Sequence, residues 1–147
     1  MVAYPSRCMD AQLITADHAQ VSDGKLTIIG GFWDRSYATP FPRAIALVFT
    51  CDWDETGVDH SWRVTLRDLD GRERGVDGST DGVLRVEGTF HSRRDAELAP
   101  GRSVRHRVAA NRGSHAFAPG SYAWHVAVDG AERAEWRRTF VVTPPPG

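Results

Sequence analysis

The chain has 147 residues, of which 41% are hydrophobic and 25% charged, a composition typical of one globular domain and unlike that of a disordered protein. Its formal net charge of −1 argues against a general nucleic-acid binder and against a protein held on anionic membranes. Two cysteines are too few for a disulfide framework, and no apolar stretch approaches the length of a membrane-spanning helix.

These exclusions set the organisation that we expect. A single domain over residues 1–143 is followed by a proline-rich tail over residues 144–147, which cannot join a sheet. The first ten residues contain no apolar run fit for a signal peptide, so we expect a cytoplasmic protein with free thiols. Lys25 is the only lysine among the 18 basic residues, an arginine bias that indicates a bacterial genome rich in G and C.

Asp-Gly pairs divide the chain into short segments and predict hairpin turns. They stand at residues 23–24, 70–71, 77–78, 81–82 and 129–130. Both residue types tolerate a positive φ, which tight turns between twisted antiparallel strands require. Between the turns, apolar and polar residues alternate, as they do in strands buried on one face. Two such apolar series are Trp62, Val64, Leu66 and Tyr122, Trp124, Val126, Val128.

The alternation predicts about eight strands. In chain order they are residues 11–21, 25–35, 43–53, 60–68, 83–91, 103–110, 121–128 and 133–142. The one candidate for a helical turn is residues 93–98. Short strands separated by turns indicate an all-β fold, and we expect an antiparallel two-sheet β-sandwich of immunoglobulin-like or similar Greek-key topology.

Two segments depart from the alternation. Residues 26–33 and residues 44–49 are almost continuously apolar. Strands that are covered on both faces have this pattern, so we expect both segments to be central strands. Gly30 and Gly31, within the first segment, indicate a bulge or a close approach of the backbone to another part of the chain.

Residues 16–34 read ADHAQVSDGKLTIIGGFWD and are followed by Pro40-Phe41-Pro42. This resembles a family of small bacterial proteins known only as a domain of unknown function. Its members open with Ala-Asp-x-Ala, a Gly-Lys-Leu hairpin, an apolar strand ending in Gly-x-Phe-Asp, and then Phe-Pro. The stretch from Pro119-Gly120-Ser121-Tyr122 through Val128-Asp129-Gly130 resembles the second half of the pattern. Trp33 is a departure, because the family usually passes directly from its aromatic residue to Asp. The resemblance implies a β-sandwich and supplies no activity or catalytic residue.

Lys25 stands at the Gly-Lys-Leu position of that family pattern. An ammonium group can be held where a planar guanidinium does not fit. One hypothesis is therefore a structural ion pair between Lys25 and either Asp17 or Asp34. The alternative is an ordinary lysine at the edge of a hairpin.

No pattern in the sequence matches a catalytic or metal site. The six histidines form no His-x-His or His-x₃-His pair, so we predict no metal and no cofactor, and structural roles for His106 and His125. The acidic segments 52–59 and 77–82 are possible Ca²⁺ loops, but solvated hairpin loops explain both. No serine lies in a Gly-x-Ser-x-Gly elbow. We expect a protein that is not an enzyme.

Arginines form the strongest candidate binding surface. If the apolar residues of four strands face the core, alternation places a set of arginines on the outside. The set is Arg63, Arg67, Arg85, Arg105, Arg107 and Arg137, with Arg93 and Arg94 added at a hairpin tip. Guanidinium groups bind carboxylates or phosphates, provided that these strands share one exposed sheet. The alternative is that the arginines only keep the surface soluble.

Trp53 stands where the third predicted strand enters an acidic loop. It is therefore the tryptophan that we expect to be exposed, and an exposed tryptophan suits a protein interface. The alternative is a tryptophan that caps the open end of the sandwich.

Taken together, these patterns favour a non-catalytic protein-interaction or assembly module. Its partner is another protein, with a second copy of the chain among the candidates, and neither nucleic acid in general nor a membrane. The alternative function is binding of an anionic ligand or an acidic partner through the arginine set. Salt separates the two functions, because it weakens ionic contacts and leaves apolar ones intact.

Overall fold

The computed structural model describes residues 9–39, 41–75, 83–92 and 102–146, with the backbone alone described for residues 41–42 and 113–115. Their strands are β1 (Asp10–Ala16), β2 (His18–Ser22), β3 (Lys25–Ile29), β4 (Arg35–Tyr37), β5 (Phe41–Asp52), β6 (Asp59–Asp68), β7 (Arg85–His91), β8 (Ser103–His115), β9 (Gly120–Val128), β10 (Ala131–Glu132) and β11 (Arg138–Thr143). Two short 3-10 turns, Trp53–Glu55 and Ala134–Trp136, complete the described elements, which include no α-helix. The all-β prediction is confirmed.

The strands form three sheets, one of which curls as a half-barrel. An antiparallel three-stranded sheet has β5 in its centre, between β1 and β8. A six-stranded sheet has the order β4-β11-β9-β6-β7, with β10 paired to β9. Within it, β4 runs parallel to β11. β2 and β3 form a separate hairpin.

The main core lies between the two larger sheets. Leu47 and Phe49 of β5 belong to the same buried cluster as Val64 and Leu66 of β6 and Trp124 of β9. Burying an apolar side chain of this size stabilises the fold by roughly 1.5–3 kcal/mol. The inward-facing positions predicted from alternation in β6 and β9 are confirmed, because these side chains are buried.

The β2–β3 hairpin covers the other face of the three-stranded sheet. Ala44 and Ala46 of β5 pack with Ala19 of β2 in a second buried cluster. The Asn111 side chain in β8 fixes the hairpin, because it accepts a hydrogen bond from the Ala19 N–H at 3.1 Å and donates one to the Ala19 carbonyl at 2.7 Å. β5 is therefore covered on both faces, which confirms the central strand predicted from residues 44–49.

The prediction of a central strand over residues 26–33 is wrong. Side chains of β3 alternate between half-buried and exposed, because the hairpin packs on the sheet through one face only. Ile29 is 58% exposed and Phe32 is 68% exposed. The chain leaves the hairpin at Gly30, whose φ is 62°, and an added Cβ there would collide with the Asp17 carboxylate. The close backbone approach predicted for the glycine pair is confirmed.

Three of the predicted strands are divided in the structure. Residues 11–21 cover most of β1 and β2, and residues 25–35 cover β3 and the first residue of β4, each pair split between different sheets. Residues 133–142 contain a 3-10 turn before β11. Alternation records which side a residue faces, but it does not record a change of hydrogen-bonding partner. Two of these divisions each add a strand, and β10 lies outside all the predicted segments, so the described residues form eleven strands where eight were predicted.

Two of the turns predicted at Asp-Gly pairs are confirmed. Asp23 and Gly24 join β2 to β3, and Asp129 and Gly130 join β9 to β10, all with positive φ. These are the backbone conformations of a tight hairpin turn. The pairs at 77–78 and 81–82 lie outside the described residues.

β11 ends at Thr143, and residues 144–146 follow it without forming a strand. The helical turn predicted over residues 93–98 lies outside the described residues. In the part of the chain that the structure describes, no helix has the length and apolar character needed to cross a membrane.

Candidate functional site

A cavity of about 230 Å³ lies between the two larger sheets. Its described lining residues are Trp33, Arg43, Ala44, Ile45, Val83, Leu84, Val86, Arg112, Phe117 and Trp124. They come from both sheets and from the segments that lead into β4, β7 and β9. Because an engineered apolar cavity of about 150 Å³ holds a benzene molecule, this cavity has room for a single substituted ring.

Aromatic rings form one wall of the cavity. Trp33 meets Phe140 edge to face with ring centroids 5.4 Å apart, and Trp124 stacks on Phe140 at 5.9 Å. Phe117 contacts Phe140 at 5.6 Å and Trp124 at 6.5 Å. Since Phe117, Trp124 and Phe140 are all buried, the rings are held in place by packing. Walls of this kind are typical of small-molecule sites.

Two indole N–H groups on this wall have no hydrogen-bond acceptor. Nε1 of Trp33 and Nε1 of Trp124 are buried, and neither has a partner among the described residues. Trp124 is only 4% exposed, so bulk water does not supply the acceptor. A buried donor left unsatisfied costs about 1–3 kcal/mol, and native proteins keep few of them. Two unsatisfied donors therefore belong to residues that line the cavity.

Arg43 places a guanidinium group at the cavity, although the residue is only 4% exposed. The guanidinium donates to the Ser36 Oγ at 2.6 Å and to the Tyr37 carbonyl at 3.2 Å, which orient it from β4. Its Cζ lies 4.6 Å from the Phe117 ring centroid and 5.5 Å from that of Trp33, within the range of cation–π attraction. The guanidinium is therefore held against the aromatic wall.

The charge of Arg43 persists at neutral pH. Burial lowers its pKa to about 10, and the negative charge of Asp17 acts in the opposite direction. Arg112, an exposed residue, adds a second guanidinium to the lining. None of the described lining residues is a carboxylate. The site therefore favours an anion or a group rich in hydrogen-bond acceptors.

The local sequence explains how Arg43 reaches this position. The register between β5 and β8 shifts between Pro42 and Ala44, so Arg43 stands at a β-bulge, next to a proline that cannot donate a ladder hydrogen bond. Bulges interrupt the ladder and are frequent beside binding sites. Here the interruption falls where β5 enters the space between the sheets.

Sequence reasoning did not identify Arg43, Trp33 and Trp124 as one site. A signal is nevertheless present, because Arg43 directly precedes the apolar run 44–49. A charged residue at the start of a strand covered on both faces is expected to form hydrogen bonds or to belong to a binding site, since burying an unpaired charge is costly. Trp33 is also marked in the sequence, because it is the residue that departs from the family pattern.

Three of the predicted surface arginines lie together on the outside of the six-stranded sheet, and each is paired with a glutamate. Arg63 meets Glu87 at 2.9 Å and Arg85 meets Glu73 at 2.7 Å, while Arg67 pairs with Glu132. Exposed pairs of this kind contribute about 0–1 kcal/mol each. The pairing cancels the local excess of positive charge that an anion-binding surface would need.

The other predicted arginines lie elsewhere, and two of them do not meet the condition of one shared sheet. Arg105 and Arg107 stand on β8, in the three-stranded sheet. Arg107 donates to the Gly24 carbonyl at 3.0 Å and so contacts the hairpin. Arg137 follows the second 3-10 turn as an exposed residue. Arg93 and Arg94 lie outside the described residues.

The structure does not support the proposed ion pair at Lys25. Lys25 is an exposed residue beside the hairpin turn, paired in register with Ser22. Asp17 stands at the opposite end of the hairpin, where its N–H donates to the Ile29 carbonyl. Asp34 precedes β4. Among the described residues, no carboxylate lies within ion-pair distance of Lys25, because the hairpin separates the groups that the sequence places close together.

Trp53 is half-buried in the first 3-10 turn, between β5 and β6. The fully exposed indole expected from its acidic surroundings is therefore not observed. This position agrees better with the alternative of a tryptophan that caps the end of the core.

A separate polar cluster surrounds His60, which is 5% exposed. Its Nδ1 lies 2.7 Å from Asp129 Oδ2 and its Nε2 lies 2.8 Å from the Glu55 carbonyl. The ring stacks on Phe90 at 5.2 Å, and His106 stacks on the same ring at 4.8 Å. Burial alone lowers the pKa of His60, but the hydrogen bonds to Asp129 and Glu55 raise it overall.

His106 in β8 and His125 in β9 are half-buried strand residues, as predicted. Burial, with a nearby arginine, lowers the pKa of each. Within the described ranges, no three His, Cys, Asp or Glu side chains are grouped so that they could hold a metal ion. The acidic segment 77–82 lies outside those ranges.

The chain matches a protein family. The model of a family described as a family of unknown function (DUF6941) matches residues 12–142. No curated protein matches the chain.

Proposed function

Since the chain belongs to the DUF6941 family, whose function is unknown, we propose a function from the cavity: the protein is a non-catalytic binding protein that encloses a small, largely apolar molecule. The proposal keeps the absence of enzymatic activity expected from the sequence. It moves the binding site from the outer arginines, which are paired with glutamates, to the space between the two larger sheets.

One observation carries this proposal. The indole N–H of Trp124, a residue that lines the cavity, is buried and has no acceptor among the described residues. Small-molecule sites are typically apolar concavities with a few fixed polar groups. A molecule that fills the space and accepts this hydrogen bond removes the cost of the unsatisfied donor.

Toluene is a suitable probe, because it is a neutral single ring of the size that the cavity admits. A ligand that binds only the folded state raises the melting temperature. We expect toluene to raise the Tm of the protein, followed by circular dichroism in sealed cells. No increase in Tm across the soluble range of toluene would contradict the proposal.

Two tryptophan substitutions locate the bound probe. Leu84 lines the cavity, so Leu84→Trp fills it and should abolish the increase in Tm. Leu69 is 66% exposed in the turn after β6, so Leu69→Trp adds the same ring outside the cavity and should leave the increase intact. An equal response of both variants would place the probe elsewhere.

The interaction module expected from the sequence is our second proposal, and Phe32 favours it. Its φ is 63°, a region that costs a residue of this kind about 1–3 kcal/mol, and its side chain is 68% exposed. We propose that the ring contacts a second copy of the chain. Sedimentation should then show self-association that Phe32→Asn removes, since asparagine tolerates a positive φ. A wild-type protein that is monomeric at all concentrations contradicts this.

We also propose that the two larger sheets are the faces of a β-sandwich, with the β2–β3 hairpin as an added layer, in a cytoplasmic bacterial protein. The core cluster shared by β5, β6 and β9 supports the first part. The arginine bias of the sequence supports the bacterial origin.

A further inference from the structure

The cavity also indicates what kind of molecule it holds. We infer that the ligand is a free monocarboxylate with a single planar ring, whose carboxylate lies toward Arg43 and the two indole N–H groups and whose ring packs on the aromatic wall. This inference rests on the proposed function and adds the chemical class of the ligand to it.

The polar side chains of the described lining are hydrogen-bond donors. The indole N–H groups of Trp33 and Trp124 donate and cannot accept, and both lack a partner among the described residues. Arginine side chains likewise carry donors and no acceptor, and Arg43 and Arg112 are the described charged residues of the lining. A ligand that brings donors, such as an amine, would leave these groups unsatisfied, whereas a carboxylate brings only acceptors.

The positive charge of the site also favours a carboxylate. Arg43 is buried, and its guanidinium is oriented by Ser36 and Tyr37. Asp17, which stands between β1 and β2, offsets part of this charge, but Asp17 is not among the lining residues. Planar carboxylates carry a single negative charge and suit the guanidinium fork. A doubly charged phosphate would bring a second charge into a largely apolar space, which is costly.

Size and shape limit the rest of the ligand. A cavity of about 230 Å³ exceeds the roughly 150 Å³ that holds benzene by enough for one small substituent. Phe117 and Trp124 present ring surfaces, against which an aromatic ring packs with centroids about 4.5–7 Å apart. A cavity of this volume favours a ligand with one small ring.

Benzoate and benzamide test this inference, because they are planar, nearly identical in shape, and differ in charge. We expect calorimetric titration at neutral pH to show benzoate binding at least about tenfold more tightly than benzamide, since a hydrogen bond to a charged group exceeds one to a neutral group by enough for that ratio. Benzylamine, a ring with a positive charge, should not bind. Equal affinities for benzoate and benzamide would overturn the inference.

Arg43→Met tests the role of the buried charge while keeping much of the side-chain volume. It should remove the preference for benzoate over benzamide. Arg63→Met is the matched control, because Arg63 stands on the outer face of the six-stranded sheet. This variant should prefer benzoate over benzamide to the same extent as the wild type. If Arg43→Met retains the full preference, the assignment of Arg43 is wrong.

The three wild-type titrations need no variant and therefore stay informative if Arg43→Met fails to fold. They also separate the two proposals. Toluene binding without a preference for benzoate overturns the carboxylate inference and leaves the binding function standing. No binding of any of the four probes overturns both.

Discussion

His60 shows how one side chain can make the stability of this protein depend on pH. Its ring lies between the Asp129 carboxylate and the Glu55 carbonyl, so both ring nitrogens meet an acceptor, which suits the doubly protonated form. Although burial acts in the opposite direction, the pKa of His60 is raised overall. The folded state therefore binds the proton more tightly than the unfolded state, whose histidine pKa is about 6.5.

The sign of the pH effect follows from this difference. The stabilisation from His60 is present in full below a pH of about 6.5 and is lost as the pH rises through the higher folded pKa. His106 and His125 act in the opposite direction, because burial lowers the pKa of each. Their neutral forms are favoured in the fold, so their contribution is lost as the pH falls.

We predict that His60→Gln reduces the free energy of unfolding more at a pH of about 5.5 than at about 8.5. Urea unfolding at the two pH values measures the difference. His18→Gln is the control, since His18 is exposed on β2, and its effect should be small at both values. An identical loss for His60→Gln at both pH values would show that the bound proton does not stabilise the fold.

Among the elements, two similar apolar runs have different outcomes. The run 44–49 becomes the doubly covered part of β5, while the run 26–33 becomes a hairpin strand and an exposed connection. Periodicity predicts which side of a strand is apolar, but it does not say whether the second side meets another layer or solvent. Whether the second side is covered depends on where the hairpin packs. The hairpin is fixed by the hydrogen bond between Asn111 and Ala19, which lie 92 residues apart in the sequence.

The connection after β3 gives a prediction with an internal control. Gly30 and Gly24 both have positive φ, at 62° and 70°, so alanine at either position carries a left-handed strain of roughly 1–2 kcal/mol. An added Cβ meets the Asp17 carboxylate at Gly30 and nothing within 4 Å at Gly24. We expect Gly30→Ala to lower the free energy of unfolding more than Gly24→Ala, as measured in urea. Equal losses would mean that Asp17 moves aside without cost.

At the scale of the whole molecule, the sequence predicted the all-β class and most inward-facing positions, because these depend on local alternation. It did not predict the cavity, because the cavity forms where Trp33, Arg43 and Trp124 meet from distant segments. The outer arginines illustrate the same limit. Arg63 and Arg85 do share a face, whereas Arg105 belongs to the other sheet, and sheet membership is not encoded in period-two alternation.

The shared core predicts a large difference between two leucines. Leu47 is fully buried between the sheets and Leu69 is 66% exposed. Leu47→Ala should reduce the free energy of unfolding by about 2–5 kcal/mol, whereas Leu69→Ala should change it by less than about 0.5 kcal/mol. Guanidinium unfolding followed by tryptophan fluorescence measures both. A loss below about 1 kcal/mol for Leu47→Ala would mean that the two sheets do not share a close-packed core.

The parallel pair of β4 and β11 has a consequence for how the protein is made. Arg35 lies in register with Val141, so β4 leaves the ribosome long before the strand that it pairs with has been translated. Until then the short strand has no ladder partner, and the aromatic wall lacks Phe140 of β11. Pairings between distant segments form late and slowly. The aromatic wall is therefore completed only after β11 has been translated.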